Sequence, residues 1–234
     1  MKFGILKERK NPPDRRVVFS PNELTRLKQK YQNVSVKVER SDIRIFDDAQ
    51  YENLGIEVTD DISDCDILFG VKEVPIENLI PNKSYFFFSH TIKKQPYNRE
   101  LLQAILEKNI DLYDYETIVD SENRRLIGFG RYAGIVGAYN GIRAFGIKFE
   151  LFKLPKAETL SGKDALISHL KRLVLPPLKF VITGTGKVGN GAKEVLDAIK
   201  IKEVSPENYL TKNYAQPVYT QIDVLEYNKR KDEQ

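Results

Sequence analysis

Disulfides are excluded at the outset, because the 234-residue chain holds one cysteine, Cys65. A lone thiol suits a reducing compartment. Cys65 lies in Asp64-Cys65-Asp66-Ile67-Leu68, beside a buried-strand pattern. Flanking carboxylates would raise its pKa, so it reads as a core thiol rather than a nucleophile. Long apolar runs are also missing. The longest, around Tyr85-Phe86-Phe87-Phe88, has the length of a strand and not of a membrane span. Residues 1–7 form a short apolar strand between lysines, without the long apolar region or small-residue cleavage site of a secretory leader. These absences predict a cytoplasmic protein with no membrane partner. Charge of one sign is not in excess: the net charge is +4, and the 30% of charged residues mix both signs. No Lys/Arg stripe with interleaved aromatics is present, so nucleic acid is not an expected partner. The basic stretch Lys229-Arg230-Lys231 is followed by Asp232 and Glu233 and reads as a solvated tail. Repeats, low-complexity segments and a metal-ligand cluster are absent from the pattern.

What is present is a 41% hydrophobic content arranged as alternating strands and helices. Strands are predicted at Lys2–Leu6, Val34–Val38, Asp66–Val71, Ser84–Phe88, Asp111–Ile118 and Leu126–Gly130. Ser20 followed by Pro21 starts a helix that runs to about Lys30. A second helix is predicted over Asn98–Lys108, with Leu101, Leu102, Ile105 and Leu106 at helical spacing. Ala133–Ile147 reads as a long helix carrying Ala133, Gly134, Gly137, Ala138, Gly141, Ala144 and Gly146. Its intrinsic propensity is poor, which suits close approach by another backbone or a ligand, at a domain seam or a subunit seam of a homo-oligomer. Residues 151–177 look linker-like, with Pro155, Pro176 and Pro177 around one amphipathic helix, Asp164–Leu173. Strand Phe180–Thr183, helix Val188–Ile199 and strand candidates Ile201–Val204 and Val218–Val224 follow. The fold class is α/β: a Rossmann-like parallel-sheet domain over 1–130, connecting helices over 131–178, and a partial Rossmann dinucleotide-binding domain over 179–234.

The turn Gly184-Thr185-Gly186-Lys187-Val188-Gly189 follows a strand and opens a helix, the context in which a GxGxxG pattern signals a dinucleotide. The first glycine permits the turn, the second lets the backbone approach a pyrophosphate, and the third lets helix and strand pack closely. The helix N-terminus offers unpaired N–H groups to the phosphates. An acid is expected about 20 residues on, at the end of the second strand, to hold the ribose of NAD. That position falls at Val204-Ser205-Pro206, and Ser205 is not acidic. The reading is therefore NADP, with NAD as the alternative, and with Lys202 or Lys212 as phosphate partners that sequence cannot place.

Upstream, Lys72 ends one buried strand and His90 ends the next, while Arg16 follows the first strand. Functional groups gather at the carboxyl ends of parallel strands, so neighbouring strands would place Lys72 and His90 side by side. These residues, with Tyr85-Phe86-Phe87-Phe88-Ser89-His90-Thr91-Ile92-Lys93, Leu112-Tyr113-Asp114-Tyr115-Glu116-Thr117-Ile118-Val119 and Arg125-Leu126-Ile127-Gly128-Phe129-Gly130-Arg131-Tyr132-Ala133-Gly134, resemble the alanine dehydrogenase and saccharopine dehydrogenase superfamily. The finer resemblance is to its lysine-ketoglutarate reductase type, and it continues through Phe180–Val188 and Val204-Ser205-Pro206.

The resemblance implies an oxidoreductase that condenses lysine and 2-oxoglutarate reductively to saccharopine, or the reverse, with NADP(H). Residues 1–130 then form the amino-acid-substrate domain. Lys72 and His90 match the acid–base pair, Arg16 and Arg125 the positions that hold substrate carboxylates, and Glu116 an acid that tunes Lys72. Loss of water from a carbinolamine needs groups that move protons. A lysine serves if its pKa falls from about 10.4 toward neutrality. A planar guanidinium suits a carboxylate. Gly184, Thr185, Gly186, Lys187, Val188, Gly189 and Ser205 form the cofactor set. The alternatives are an NAD-dependent saccharopine or alanine dehydrogenase and a non-catalytic binding module. His169, among lysines on an amphipathic helix, receives no role. Members of the family continue well beyond this length, so a fragment, or completion of the second sheet by another subunit, is expected.

Overall fold

The computed structural model describes residues 1–229 and 231, so Arg230 of the basic tail and residues 232–234 lie outside the described residues. The chain forms two compact units, Met1–Gly128 and the part from Phe129 onward.

The first unit is a parallel sheet of six strands. These are β1 (Lys2–Ile5), β2 (Ser35–Glu39), β3 (Glu57–Thr59), β4 (Ile67–Lys72), β5 (Ser84–Phe88) and β6 (Asp111–Asp114), in the order β3-β2-β1-β4-β5-β6. Their near-continuous apolar runs follow from burial on both faces. Leu6, Leu68, Tyr85 and Phe87 pack on one side with Leu101 and Ile105 of a helix over Arg99–Glu107. Ile5, Val36 and Val38 pack on the other with Leu24 and Tyr51. Successive residues such as Ile5 and Leu6 serve opposite faces, as the pleat requires.

Helix α1 (Pro21–Lys30) begins where the sequence predicts. Ser20 and Glu23 form a reciprocal capping box, the Ser20 Oγ accepting from the Glu23 N–H at 3.3 Å and Glu23 accepting from the Ser20 N–H at 2.8 Å. Helix α2 (Asp48–Glu52) and β3 are short elements that the apolar pattern does not announce. The Arg99–Glu107 helix is α3.

Two strand expectations are corrected. The strand predicted over 111–118 stops at Asp114, whose carboxylate accepts the Glu116 N–H at 2.8 Å and turns the chain into a 3₁₀ turn, Tyr115–Thr117. The strand predicted over 126–130 does not form. A single antiparallel bridge, Val119 to Arg125, is made around a turn in which Asp120 accepts from the Glu122 and Arg124 N–H groups. Leu126 and Ile127 then run exposed into helix α4 (Gly130–Lys148).

The second unit holds α4, α5 (Lys163–Lys171), β7 (Lys179–Thr183), α6 (Lys187–Ala198), β8 (Lys202–Glu203), α7 (Pro206–Thr211) and β9 (Val218–Ile222). Its three strands are parallel in the order β7-β9-β8. Helices α4 and α6 meet backbone to backbone: a Cβ added at Gly134 would lie 1.9 Å from the Val188 carbonyl oxygen. Close approach is what the small residues of α4 permit. The proline-bearing stretch 151–177 is packed rather than free. Leu154, Leu166 and Leu170 are buried with Ile135, Tyr139 and Ile142 of α4. Tyr139 and Arg143 tie it down by donating to the carbonyls of Pro155 and Leu154 at 2.9 and 3.0 Å.

Candidate functional sites

In the first unit, Lys72 is the last residue of β4 and lies in register with Phe88, the last residue of β5. Lys72 and His90 therefore stand at the carboxyl ends of adjacent strands. His90 adopts the left-handed region, φ 59° and ψ 7°, which is uncommon for a residue with a side chain. Its neighbours hold it there. Ser89 is fully buried and donates its N–H and its hydroxyl to Asp114, and Asn98 donates its side-chain N–H to the His90 carbonyl at 3.1 Å. Local strain of this kind persists where surrounding contacts over-determine it.

Glu116 lies on the 3₁₀ turn after β6 with its side chain 3% exposed. Its Oε2 is 2.9 Å from the His90 Nδ1, and its Oε1 is 2.9 Å from the Arg125 Nη1 and 3.4 Å from the Lys93 Nζ. Burial raises its carboxyl, but the His90 hydrogen bond and the charges of His90, Lys93 and Arg125 outweigh it, holding it below the ordinary value. The expectation that Glu116 tunes Lys72 is corrected by the strand order: β5 lies between β4 and β6, so the turn after β6 reaches His90 and not Lys72. Of the residues singled out from sequence, His90, Glu116 and Arg125 are thus brought into one network.

Arg16 belongs to the loop after β1, where its Nε donates to the Asp14 Oδ1 at 2.9 Å. That bond, with lesser help from the charge of Lys72, lowers the Asp14 carboxyl. Asp14 thus binds Arg16 and also feels the charge of Lys72.

In the second unit, β7 leads into the glycine turn. Gly184 has φ 94°, which a side chain would resist. A Cβ on Gly189 would lie 2.0 Å from the Gly184 carbonyl oxygen, so the first turn of α6 can close on the strand end only without a side chain there. Gly186 caps α6 and supplies no side-chain acceptor, so no cap side chain covers the start of the helix. A glycine turn at the N-terminus of a helix fits a pyrophosphate.

The strand beside β7 is β9, not β8: Thr183 pairs with Ile222, and β8 lies beyond β9. This corrects the placement of Ser205. It caps α7, its Oγ accepting from the Asn208 N–H at 3.3 Å, two strands away from the glycine turn. The residue that follows the strand next to β7 is Asp223. Its Oδ2 accepts from the Thr185 hydroxyl at 2.6 Å, which lowers its carboxyl.

Residues 4–136 match the alanine dehydrogenase/PNT N-terminal domain. The chain belongs to that family. It is 34% identical over 225 residues to an alpha-aminoadipic semialdehyde synthase of Arabidopsis thaliana, covering 87% of this chain and 21% of the relative. A mitochondrial alpha-aminoadipic semialdehyde synthase of Bos taurus is 32% identical over 241 residues, 91% of this chain and 26% of the relative. A saccharopine dehydrogenase [NAD(+), L-lysine-forming] of Yarrowia lipolytica is 25% identical, 85% of this chain and 58% of the relative. The chain thus spans about a quarter or less of the synthases it matches. In fold it is similar to L-alanine dehydrogenase, with a TM-score of 0.59 at 19% identity over 97% of this chain and 62% of that one. A transhydrogenase from Sinorhizobium meliloti gives 0.60 at 16% identity over 88% and 58%. The fold is Rossmann-like parallel α/β, and the family is one of nicotinamide-dinucleotide oxidoreductases.

Three residues at the strand ends, two of them in the network, carried no assigned role in the sequence reading. Lys93 reaches both His90, at 3.2 Å, and Glu116. Asp114 is 6% exposed and anchors Ser89 and Glu116. Glu73 accepts from the Lys10 Nζ at 2.7 Å with one oxygen, while its other oxygen is buried without a partner among the described residues. A strand-end Lys-Glu pair and the third position after a histidine were visible, but pairing partners distant in sequence were not. Among the described residues, no helix is long and apolar enough to cross a membrane, and no group of three or more metal-ligating side chains gathers.

Proposed function

We propose that the chain carries the amino-acid-binding part and the dinucleotide turn of an oxidoreductase acting on a C–N bond, of the saccharopine-forming type. The observation that carries this reading is the pairing of Lys72 with the His90–Glu116 network at the carboxyl ends of two adjacent strands. In the tautomer that carries its proton on Nδ1 and donates it to Glu116, the ring is oriented and Nε2 of His90 is left to exchange a proton. Lys72, on the neighbouring strand, is suited to exchange the second proton that imine formation and water loss require. Arg16 and Arg125 suit the carboxylates of an amino acid and an oxoacid. Lysine and 2-oxoglutarate are the substrates that the resemblance to the lysine-ketoglutarate reductase type implies, and the L-lysine-forming saccharopine dehydrogenase among the relatives supports lysine.

For the cofactor, the residues of the second unit fit a dinucleotide, with Gly184, Gly186 and Gly189 and the start of α6 at the pyrophosphate. When bound, a nicotinamide dinucleotide supplies or accepts the hydride. Asp223 supports NAD(H) over NADP(H), reversing the sequence-based preference. An acid after the neighbouring strand suits a ribose 2′-OH and repels a 2′-phosphate. The single cysteine favours a reducing compartment, with the cytoplasm as the proposed location.

The test is binding and turnover with one protein. Calorimetry with lysine, 2-oxoglutarate, NADH and NADPH is followed by the lysine- and 2-oxoglutarate-dependent oxidation of each reduced dinucleotide. Turnover lost in Lys72→Met supports the enzyme. Binding of lysine or oxoacid without turnover favours a non-catalytic module, and failure to bind either ligand removes the reading.

A further inference from the structure

Glu8 lies in the loop three residues beyond β1 and is 8% exposed. Its two oxygens accept from two successive backbone groups of β4, the Val71 N–H at 2.7 Å and the Lys72 N–H at 2.9 Å. Successive N–H groups of a regular strand point to opposite edges, so one carboxylate cannot take both. Here the strand is irregular. The register between β4 and β5 advances from Phe69 opposite Phe86 to Lys72 opposite Phe88, three residues against two. Such a bulge re-aims the side chains that follow it. The backbone pairing of the β1 segment with β4 reaches the Leu6 N–H, which donates to the Phe69 carbonyl at 2.9 Å. Beyond that point the Glu8 side chain takes up the β4 amides.

We propose that Glu8 is a positioning residue: by capturing the Val71 and Lys72 amides it fixes the bulge and thereby the direction in which the Lys72 ammonium leaves the strand. The importance attached to Lys72 rests on the function proposed above; the positioning itself does not. A carboxylate is the side chain suited to this task. It offers two acceptors in a fork and no donor, whereas an amide would set an N–H against an N–H. Holding it there has an electrostatic cost. Burial pushes the Glu8 carboxyl upward, and the two amide bonds pull it back in part. The charged and titratable groups facing Glu8 are Asp14 and Arg16 from its own loop and Tyr115 from the turn after β6, while Lys72 meets it through its backbone N–H. The Tyr115 hydroxyl is buried without a partner among the described residues and stays protonated, since burial raises it further.

The experiment compares the full chain with Glu8→Gln and Glu8→Asp. Lysines are labelled at trace level with a water-soluble amine acylating reagent across pH, and mass spectrometry follows the Lys72 peptide against those of Lys83 and Lys108. The labelling rate of Lys72 is expected to change about threefold or more in Glu8→Gln, with Lys83 and Lys108 unchanged and Glu8→Asp intermediate. In the parent protein, the Val71 and Lys72 amide resonances should titrate together with one midpoint, and Glu8→Gln should abolish this. Coincident Lys72 profiles in parent and variants, or amides that do not titrate, overturn the proposal. A change at all lysines alike, the mark of general loosening, also overturns it. None of these readouts needs turnover, so failure of the proposed reaction would be seen separately.

Discussion

The Nδ1 of His90 lies 2.9 Å from a carboxylate oxygen of Glu116, a residue 26 positions further along the chain and almost fully buried. This pair makes Glu116 the hub of three basic side chains and gives His90 a fixed ring orientation. Replacing Glu116 by Gln should leave His90, Lys93 and Arg125 without their shared anion. A stability loss of about 1–3 kcal/mol is expected, the usual cost of a buried group stripped of its partner. Chemical denaturation of the two proteins at neutral pH would measure it.

The same pair predicts a pH dependence. Glu116 is held below its ordinary value of 4.5, so its contribution to stability is complete above about pH 4.5 and is lost as pH falls through the lower folded-state value. The parent protein should lose stability in that acid window more steeply than Glu116→Gln. Denaturation midpoints at neutral pH and at acid pH, compared between the two, check the slope; equal slopes would contradict it.

For the proposed reaction, His90→Asn should lower turnover by roughly 10²–10⁴-fold, the usual contribution of a positioned acid or base. Amino-acid binding should change little, because the asparagine side chain keeps a polar group near Glu116. Steady-state kinetics with parallel calorimetry separates the two effects. A variant with full turnover would remove His90 from the chemistry.

Asp223→Ser should shift the preference between NADH and NADPH toward NADPH by about tenfold or more, about 1.4 kcal/mol. Ser205→Ala should leave it unchanged, since Ser205 caps α7 away from the glycine turn. Fluorescence titration with both dinucleotides tests the contrast. The reverse pattern would restore Ser205 as the selecting position.

Gly189→Ala should abolish dinucleotide binding and destabilise the second unit by about 3 kcal/mol, the upper part of the range for overpacking. The added Cβ would meet the Gly184 carbonyl oxygen at 2.0 Å. Thermal unfolding and the same titration read both effects, and an undisturbed variant would mean that the turn is looser than described.

Much of this protein is determined locally. The start of α1 at Ser20 and Pro21, the apolar runs of β4 and β5 and the strand–glycine–helix order at 179–189 depend on neighbours in sequence, and they form where the sequence predicts them. The parallel α/β class and the strand-end positions of Lys72 and His90 follow from the same local periodicity. Pairing between distant segments decided the rest. β9, late in the sequence, enters the sheet between β7 and β8, so Asp223 and not Ser205 comes beside the glycine turn. β5 separates β4 from β6, which gives Glu116 to His90 rather than to Lys72. Glu8 meets Lys72 across 64 residues because a bulge turns two amides the same way. Periodicity fixes which residues form a strand and which face they bury. Strand order and register are set by the whole sheet's packing, and these place one strand's end beside another's.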